Sequence, residues 1–501
     1  MFDSVPDMAA KRAELTPDKV AFVDAESGHE WSFAAIDRAV GQVAAGLARL
    51  GVAPGERLAV LTLNRVEFFI TLFACQRTGI IMAPLNWRQL VPELAEVLDS
   101  VGASAVLFDA ANAEAARALA DRLGLRTLSV TDGYGADDSL AAFLDHPSVT
   151  KPSAAGATRP WYLLFTSGTT GRPKAVIQTA RMGWANALNI AQAIDLTSRD
   201  SSVNYLPLFH TAGINLYTVP IFLFGGVSTV LPKFEVGDIL ALLRDGTVSR
   251  FFGVPAIYQA LSLDDGVDQV DWRRIRCACG GAPLPESQIR FFAERGARIC
   301  NGFGMTETGP TAFLNDEAAA ETKIGSVGKA QMLTEARIDG IADGVPGEGE
   351  LLLRGPAMTP GYFGNAKATA AAFDADGWLR TGDVARRDAD GYYFIVDRIK
   401  DMFISGGENV YPAEVERVLD GHPDILEAAV VGIADAQWGE VGAAFLLARP
   451  GHAIDTAALA AWCRERLAAY KVPKSFHVET DLPRTAAGKV RKPVLRDRLC
   501  R

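Results

Sequence analysis

The chain is poor in cysteine and has no long apolar run, and each shortage excludes something. Six cysteines are spread over 501 residues, and only Cys277 and Cys279 stand close together. They form neither a zinc-ligand pattern nor a disulfide framework, so reduced thiols in a cytoplasmic protein are expected. No stretch reaches about 18 uninterrupted apolar residues, so no segment is expected to span a bilayer. The opening Met1-Phe2-Asp3-Ser4-Val5 lacks the basic start and apolar core of a signal peptide. Basic residues number 50 against 60 acidic ones, a net charge of −10. That balance argues against a nucleic-acid surface held by counterion release. The basic residues are scattered, so no polybasic membrane patch is expected either. Short repeats and low-complexity segments are also missing.

What is present is a large apolar fraction. Hydrophobic residues make up 49% of the 501, enough for a sizeable core and two or more domains. Ser32 precedes apolar residues at Phe33, Ile36, Val40, Val43, Leu47 and Leu50, and Gly51 follows. Spacings of three and four between an N-cap and a glycine stop predict an amphipathic helix. Strands are expected at 58–61, 79–85 and 105–108, with helices at 66–78 and 90–101 between them. The middle third repeats the scheme. It has a strand ending in a turn over 202–210, strands at 227–231, 250–254, 277–279 and near 299–305, and helices at 212–224 and 236–244. Strands separated by helices of this length imply right-handed crossovers and a mostly parallel sheet, an α/β fold. After about residue 320 the texture changes to short strands and turns, a small β subdomain. Asp397-Arg398-Ile399-Lys400-Asp401 is a charged break. Beyond it a helix at 412–420, strands at 428–432 and 443–448, and a helix at 457–467 predict an α+β lobe of about one hundred residues.

The stretch that organises the chain is Thr166-Ser167-Gly168-Thr169-Thr170-Gly171-Arg172-Pro173-Lys174, after the apolar run Trp161–Phe165. Glycines let backbone amides turn toward an oxyanion, hydroxyls donate further hydrogen bonds, and Arg172 and Lys174 supply charge. Taken alone, the same composition also describes a solvated turn. It is not the Walker pattern, which needs Gly-x4-Gly-Lys-Ser/Thr.

Further signals follow in order: Leu206-Pro207-Leu208-Phe209-His210, Asn301-Gly302-Phe303-Gly304-Met305-Thr306-Glu307-Thr308, and Trp378-Leu379-Arg380-Thr381-Gly382-Asp383. Then come Asp397 to Asp401, Ser405-Gly406-Gly407-Glu408-Asn409-Val410-Tyr411-Pro412, and Leu482-Pro483-Arg484-Thr485-Ala486-Ala487-Gly488-Lys489. Over nearly the whole chain this set resembles the adenylate-forming (AMP-forming) superfamily of acyl-CoA synthetases, luciferases and peptide-synthetase adenylation domains.

The resemblance implies an acid–thiol ligase. A carboxylate and ATP give acyl-adenylate and pyrophosphate, and a thiol then displaces AMP. The implied partners are a small carboxylic acid, ATP, Mg²⁺ and CoA, with no nucleic acid, no integral membrane association and an oligomer left open. It also implies a large N-terminal adenylation domain, 1–397, and a small mobile C-terminal domain, 398–501, hinged at Lys400. Lys489 is expected to bridge the carboxylate and the α-phosphate. Thr306 is expected at the α-phosphate, and Glu307 at the magnesium ion. Thr166, Ser167, Gly168, Thr169, Thr170, Gly171 and Lys174 would cradle phosphates. Asp383 would hold the ribose with help from Arg398. Gly280, Gly281, Ala282 and Pro283, with Asn301, Gly302 and Phe303, would frame the adenine. His210 would gate the acid pocket, and Gly406 and Gly407 would pass close to pantetheine.

Ala175, Phe165 and Phe303 depart from the usual motifs without removing a catalytic group. The acceptor is expected to be free CoA, or a carrier protein in trans, because the chain runs only briefly past Lys489. A nucleotide binder without ligase activity is the alternative of another class. It would not need Lys174, Glu307, Asp383, Arg398 and Lys489 together. For the acid, Phe209, Val254, Ala256, Gly280 and Met305 suggest an apolar lining. A fatty acid of medium or longer chain is favoured, with a hydroxycinnamate- or benzoate-type acid as the alternative. The terminal Arg498-Leu499-Cys500-Arg501 lacks a Ser-Lys-Leu address.

Overall fold

The computed structural model describes residues 3–147, 150–152, 154–166, 173–282, 284–406, 408–485 and 488–499. The expected amphipathic helix is Phe33–Arg49, and the Ser32 side chain accepts the Ala35 N–H as its cap. Its apolar stripe packs against the helix Val66–Thr78. Together they support a seven-stranded sheet built on Arg57–Leu61, Ile81–Pro84 and Ala103–Phe108. These strands run parallel, as the helix-length connections require.

The sheet has an edge the sequence reading did not contain. Pro160–Thr166 pairs antiparallel with Lys174–Thr179, and Thr166 lies directly opposite Lys174. The phosphate-loop stretch therefore leaves the sheet and returns to it at one point.

A second sheet of nine strands carries Ser201–Asn204, Arg250–Gly253, Arg276–Cys279 and Ile299–Met305 at its centre. All four run parallel, so their C-terminal ends open at one edge. Phe22, on a strand of this sheet, stacks between Phe69 and Phe222 at 5.1 and 5.7 Å, closing the core between the layers.

The expected strand ending in a turn is Ser201–Asn204, with turn following to His210. One expectation needs correction. The expected helix 212–224 is two pieces, a π-helical turn Ala212–Leu216 and a short α-helix Thr218–Phe224. Neighbouring side chains take the backbone groups an α-helix would use. Asn204 donates its amide to the Gly213 carbonyl at 2.7 Å, and Asn186 donates to that of Asn215 at 2.5 Å. A Cβ at Gly213 would lie 2.4 Å from the Pro207 carbonyl oxygen, so only glycine permits the turn to pack there.

A four-stranded antiparallel sheet follows, containing Gly347–Arg354, Leu379–Arg387 and Tyr393–Arg398. The charged stretch is thus not wholly a break, because Asp397 and Arg398 belong to its last strand. The final lobe is a five-stranded sheet with the helices Pro412–Asp420, Thr456–Arg464 and Lys492–Leu499. No helix among the described residues is long and apolar enough to cross a membrane.

Candidate active site

The parallel strands of the nine-stranded sheet set Gly253, Cys279 and Asn301 side by side. Their chain continuations, Val254, Gly280 to Ala282 and Gly302, form one rim, where open α/β sheets bind ligands. A Cβ on Gly280 would sit 3.1 Å from the Gly302 carbonyl oxygen, and one on Gly302 3.0 Å from that of Phe313. Gly281 has φ +83°, in the left-handed region. The glycines therefore let this turn press against the next strand. Asn301 is buried on the rim, and its Oδ1 has no partner among the described residues.

From Met305 the chain turns sharply and returns as Gly309–Leu314. Thr308 holds the turn by accepting the Met305 N–H at 2.8 Å and donating to the Gly309 carbonyl at 2.9 Å. Thr306 and Glu307 occupy its apex, and each is clamped by its carbonyl. Gln178 donates to the Thr306 carbonyl at 2.8 Å, and the Thr359 N–H donates to that of Glu307 at 2.7 Å. Glu307 is itself buried, and its Oε1 accepts the Tyr362 hydroxyl at 3.0 Å. The Lys174 ammonium lies 4.8 Å from the centre of the same tyrosine ring. The turn thus meets the end of the phosphate-loop stretch at Tyr362, a residue the sequence reading did not single out. Its only sequence mark is a place between two turn glycines, Gly361 and Gly364. Ser167, Gly168, Thr169, Thr170, Gly171 and Arg172 lie outside the described residues, as do Pro283 and Gly407.

Asp383 and Arg398 face each other across two antiparallel strands, with Arg398 Nε 3.0 Å from Asp383 Oδ1. The aspartate is only 2% exposed, and its second oxygen, Oδ2, is buried without a partner among the described residues. Burial pushes this carboxyl above the ordinary aspartate range, opposed by Arg398 and Lys489. An unpartnered buried carboxylate oxygen calls for a donor from outside the chain, and a ribose hydroxyl is one.

Lys489 sits in a short hairpin bent at Gly488, φ +79°. The Thr485 N–H donates to the Lys489 carbonyl at 2.7 Å, and the Lys489 N–H donates back to Thr485 Oγ1 at 3.2 Å. Arg484 ties the hairpin down by donating to the Gly488 carbonyl at 3.0 Å and to Glu427 Oε1 at 3.0 Å. The lysine is exposed. Desolvation by the surrounding protein lowers its ammonium, with Arg398 and Lys400 adding to the effect and Asp383 opposing it.

Lys489 also bears on His210. Burial lowers its imidazole to about 4, and Lys489 and Arg88 push in the same direction. It is therefore neutral at pH 7, and its buried Nε2 has no partner among the described residues. Lys489, from the last lobe, is thus within electrostatic reach of both Asp383 and His210. Gly406, φ +61°, packs elsewhere on that lobe, where a Cβ would meet the Trp438 ring at 2.9 Å.

The residues present fit magnesium and a nucleotide. Glu307 offers a carboxylate beside a phosphate-loop lysine, as magnesium with phosphate requires, and Asp383 offers an unused acceptor.

Comparison with known proteins agrees with this chemistry. Residues 9–363 match the AMP-binding enzyme family, and residues 414–489 match the AMP-binding enzyme C-terminal domain. A feruloyl-CoA synthase from Amycolatopsis sp is 39% identical, with 97% of both chains covered. The long-chain-fatty-acid–CoA ligase FadD13 of Mycobacterium tuberculosis is 35% identical, over 98% of this chain and 97% of the relative. The o-succinylbenzoate CoA synthetase of Bacillus subtilis, solved with its acyl-adenylate intermediate, superposes with TM-score 0.88 at 29% identity over 99% of both chains. The same enzyme has been solved with ATP and magnesium ion. The chain belongs to the AMP-binding enzyme family and is an AMP-forming acid–CoA ligase that uses ATP, magnesium and CoA.

Proposed function

We propose that the acid activated by this ligase is a compact aryl acid of the hydroxycinnamate type. The observation that carries this reading is the match to a feruloyl-CoA synthase, 39% identical over 97% of this chain. Near the π-helical turn the Tyr217 and Phe252 rings pack edge to face at 6.5 Å and, with Val203 and Leu206, line a small cavity of about 10 Å³. That volume is room for about one water. A fatty acid is the second reading, favoured by the apolar Phe209, Val254, Ala256 and Met305 and by the FadD13 relative.

The proposed chemistry needs two anions to meet. One carboxylate oxygen of the acid attacks the α-phosphorus, and the bond to pyrophosphate breaks. Lys489 screens the repulsion between the two, Thr306 binds the α-phosphate, and Lys174 with the loop before it holds the outer phosphates. Glu307 would hold the magnesium ion, whose contribution is to neutralise phosphate charge. Asp383 Oδ2 accepts from the ribose, and Arg398 fixes that carboxylate. Neutral His210 lines the carboxylate pocket without adding a charge.

In the second step the CoA thiol attacks the acyl carbonyl, AMP leaves with the bonding pair, and the thiol proton passes to solvent. We place the boundary of the moving lobe at residue 398 and its hinge at Lys400. Gly406 and Gly407 approach pantetheine once the lobe has turned. Location in the cytoplasm fits this reading.

Pyrophosphate release over a panel of acids, with and without CoA, tests the assignment. Hydroxycinnamates should exceed saturated C12–C18 acids by at least about tenfold in kcat/KM, a difference of about 1.4 kcal/mol. The reverse order would establish the fatty-acid reading.

A further inference from the structure

Tyr362 touches both proposed poles of the adenylation centre. Its hydroxyl donates to Glu307 Oε1 at 3.0 Å, and its ring lies under the Lys174 ammonium at 4.8 Å. The backbone around it is fixed to the strand that starts at Lys174. Tyr362 bridges Val176, the Phe363 N–H donates to the Ala175 carbonyl at 2.8 Å, and the Ile177 N–H donates to that of Gly361 at 3.1 Å. On its other side the Tyr362 N–H donates to Thr369 Oγ1 at 3.0 Å. The main chain of Tyr362 is thus held on both sides.

We propose that Tyr362 is a positioning residue for adenylation. It aims the Glu307 carboxylate through its hydroxyl and steadies the Lys174 ammonium on its ring, so one side chain sets the spacing between metal and phosphate ligands. A freely rotating carboxylate would pay side-chain entropy each time it bound the metal. An ammonium over an aromatic face also keeps an attractive partner while the phosphates are absent. The inference rests on the proposed role of Glu307, and the test separates the two.

Two variants divide the contacts: Tyr362→Phe keeps the ring and removes the hydroxyl, and Tyr362→Leu removes both. Binding of Mn²⁺ is measured by electron paramagnetic resonance on full-length protein with a non-hydrolysable ATP analogue. Half-saturation of pyrophosphate release by Mg²⁺ is measured alongside it. Loss of one hydrogen bond to a charged group should weaken Mn²⁺ binding about tenfold in Tyr362→Phe and raise the Mg²⁺ requirement in parallel. Tyr362→Leu should in addition raise the Kd for the ATP analogue. Glu307→Gln serves as the reference. If it binds Mn²⁺ as the wild type does, the metal role of Glu307 is wrong. If it loses Mn²⁺ while Tyr362→Phe keeps wild-type affinity and Mg²⁺ dependence, the Tyr362 proposal is overturned. The Phe variant preserves the packed ring and is expected to fold. Should only the Leu variant lose ATP affinity, with Mn²⁺ binding unchanged in both, the hydroxyl has no positioning role and the proposal fails as stated.

Discussion

Asp397 Oδ2 accepts the backbone N–H of Ala413 at 2.8 Å, which joins the strand Tyr393–Arg398 to the first turn of the helix Pro412–Asp420 across the proposed hinge. The same helix presents Glu416 to Lys492 at 2.8 Å, and Asp397 and Glu416 together raise that ammonium. Lys492 follows the proposed catalytic lysine by three residues. If the lobe turns about Lys400, the Asp397–Ala413 bond breaks. Asp397→Ala should therefore slow adenylation about tenfold, the effect of one charge-assisted hydrogen bond, and leave thioester formation from pre-formed adenylate unchanged. Single-turnover measurement of each half-reaction checks this; equal loss in both would place Asp397 outside the switch.

Proline at position 400 would fix φ near −65° and restrict Ile399 before it. Ile399 is already held through its N–H, which donates to the Gly382 carbonyl at 2.9 Å. Lys400→Pro is expected to keep adenylation and lose at least about tenfold in the thioester step, the size of a barrier raised by 1.4 kcal/mol. A variant slowed equally in both steps would put the hinge elsewhere.

Neutral His210 should show in the pH dependence of stability. Its imidazole is depressed to about 4, with burial first among the causes and Lys489 and Arg88 following. An unfolded histidine titrates near 6.5, so below that pH the unfolded chain takes up a proton that the folded one refuses. Its contribution is complete above pH 6.5 and is lost as pH falls toward 4, amounting to about 3 kcal/mol. Urea unfolding of the wild type and His210→Gln should diverge by that order between pH 7 and pH 4, the wild type losing more. Parallel profiles would show that the imidazole titrates normally.

The acid should carry no α-ammonium group. Amino-acid-activating relatives place an aspartate where this chain has His210, and no acidic residue lies between Ser201 and Leu231. The charged groups bearing on His210 are cations, Lys489 and Arg88. A buried ammonium facing them would cost several kcal/mol, more than about three decades in binding. Pyrophosphate exchange with each standard amino acid should stay at background. Robust exchange at sub-millimolar concentration would mean that the pocket binds its substrate differently.

Local signals were the legible part of this protein. The helix Pro412–Asp420 begins and ends where its proline and apolar spacing place it, and Ser32 caps the helix its sequence predicts. The alternation of helix and strand sufficed for two mostly parallel sheets. Of the expected site residues, Asp383 pairs with Arg398, Glu307 and Lys174 meet at Tyr362, and Lys489 bears on Asp383. The π-helical turn was not legible, because its form depends on Asn204 and Asn186 in other elements claiming its carbonyls. Tyr362 and Arg484 escaped for the same reason. Their partners, Glu307 and Glu427, are 55 and 57 residues away, and no periodicity encodes such contacts.

The central claim is that Lys489 serves adenylation alone, from the lobe position seen here. Lys489→Ala removes an ammonium at the solvent-open end of a hairpin that Thr485 and Arg484 hold through the backbone, so folding should be spared. Rapid-quench measurement of the two half-reactions in this variant is the direct test. The account predicts that formation of the acyl-adenylate falls by at least about three decades, some 4 kcal/mol of transition-state stabilisation, while pre-formed acyl-adenylate and CoA still give thioester within about twofold of the wild-type rate. Equal loss of both half-reactions would contradict it.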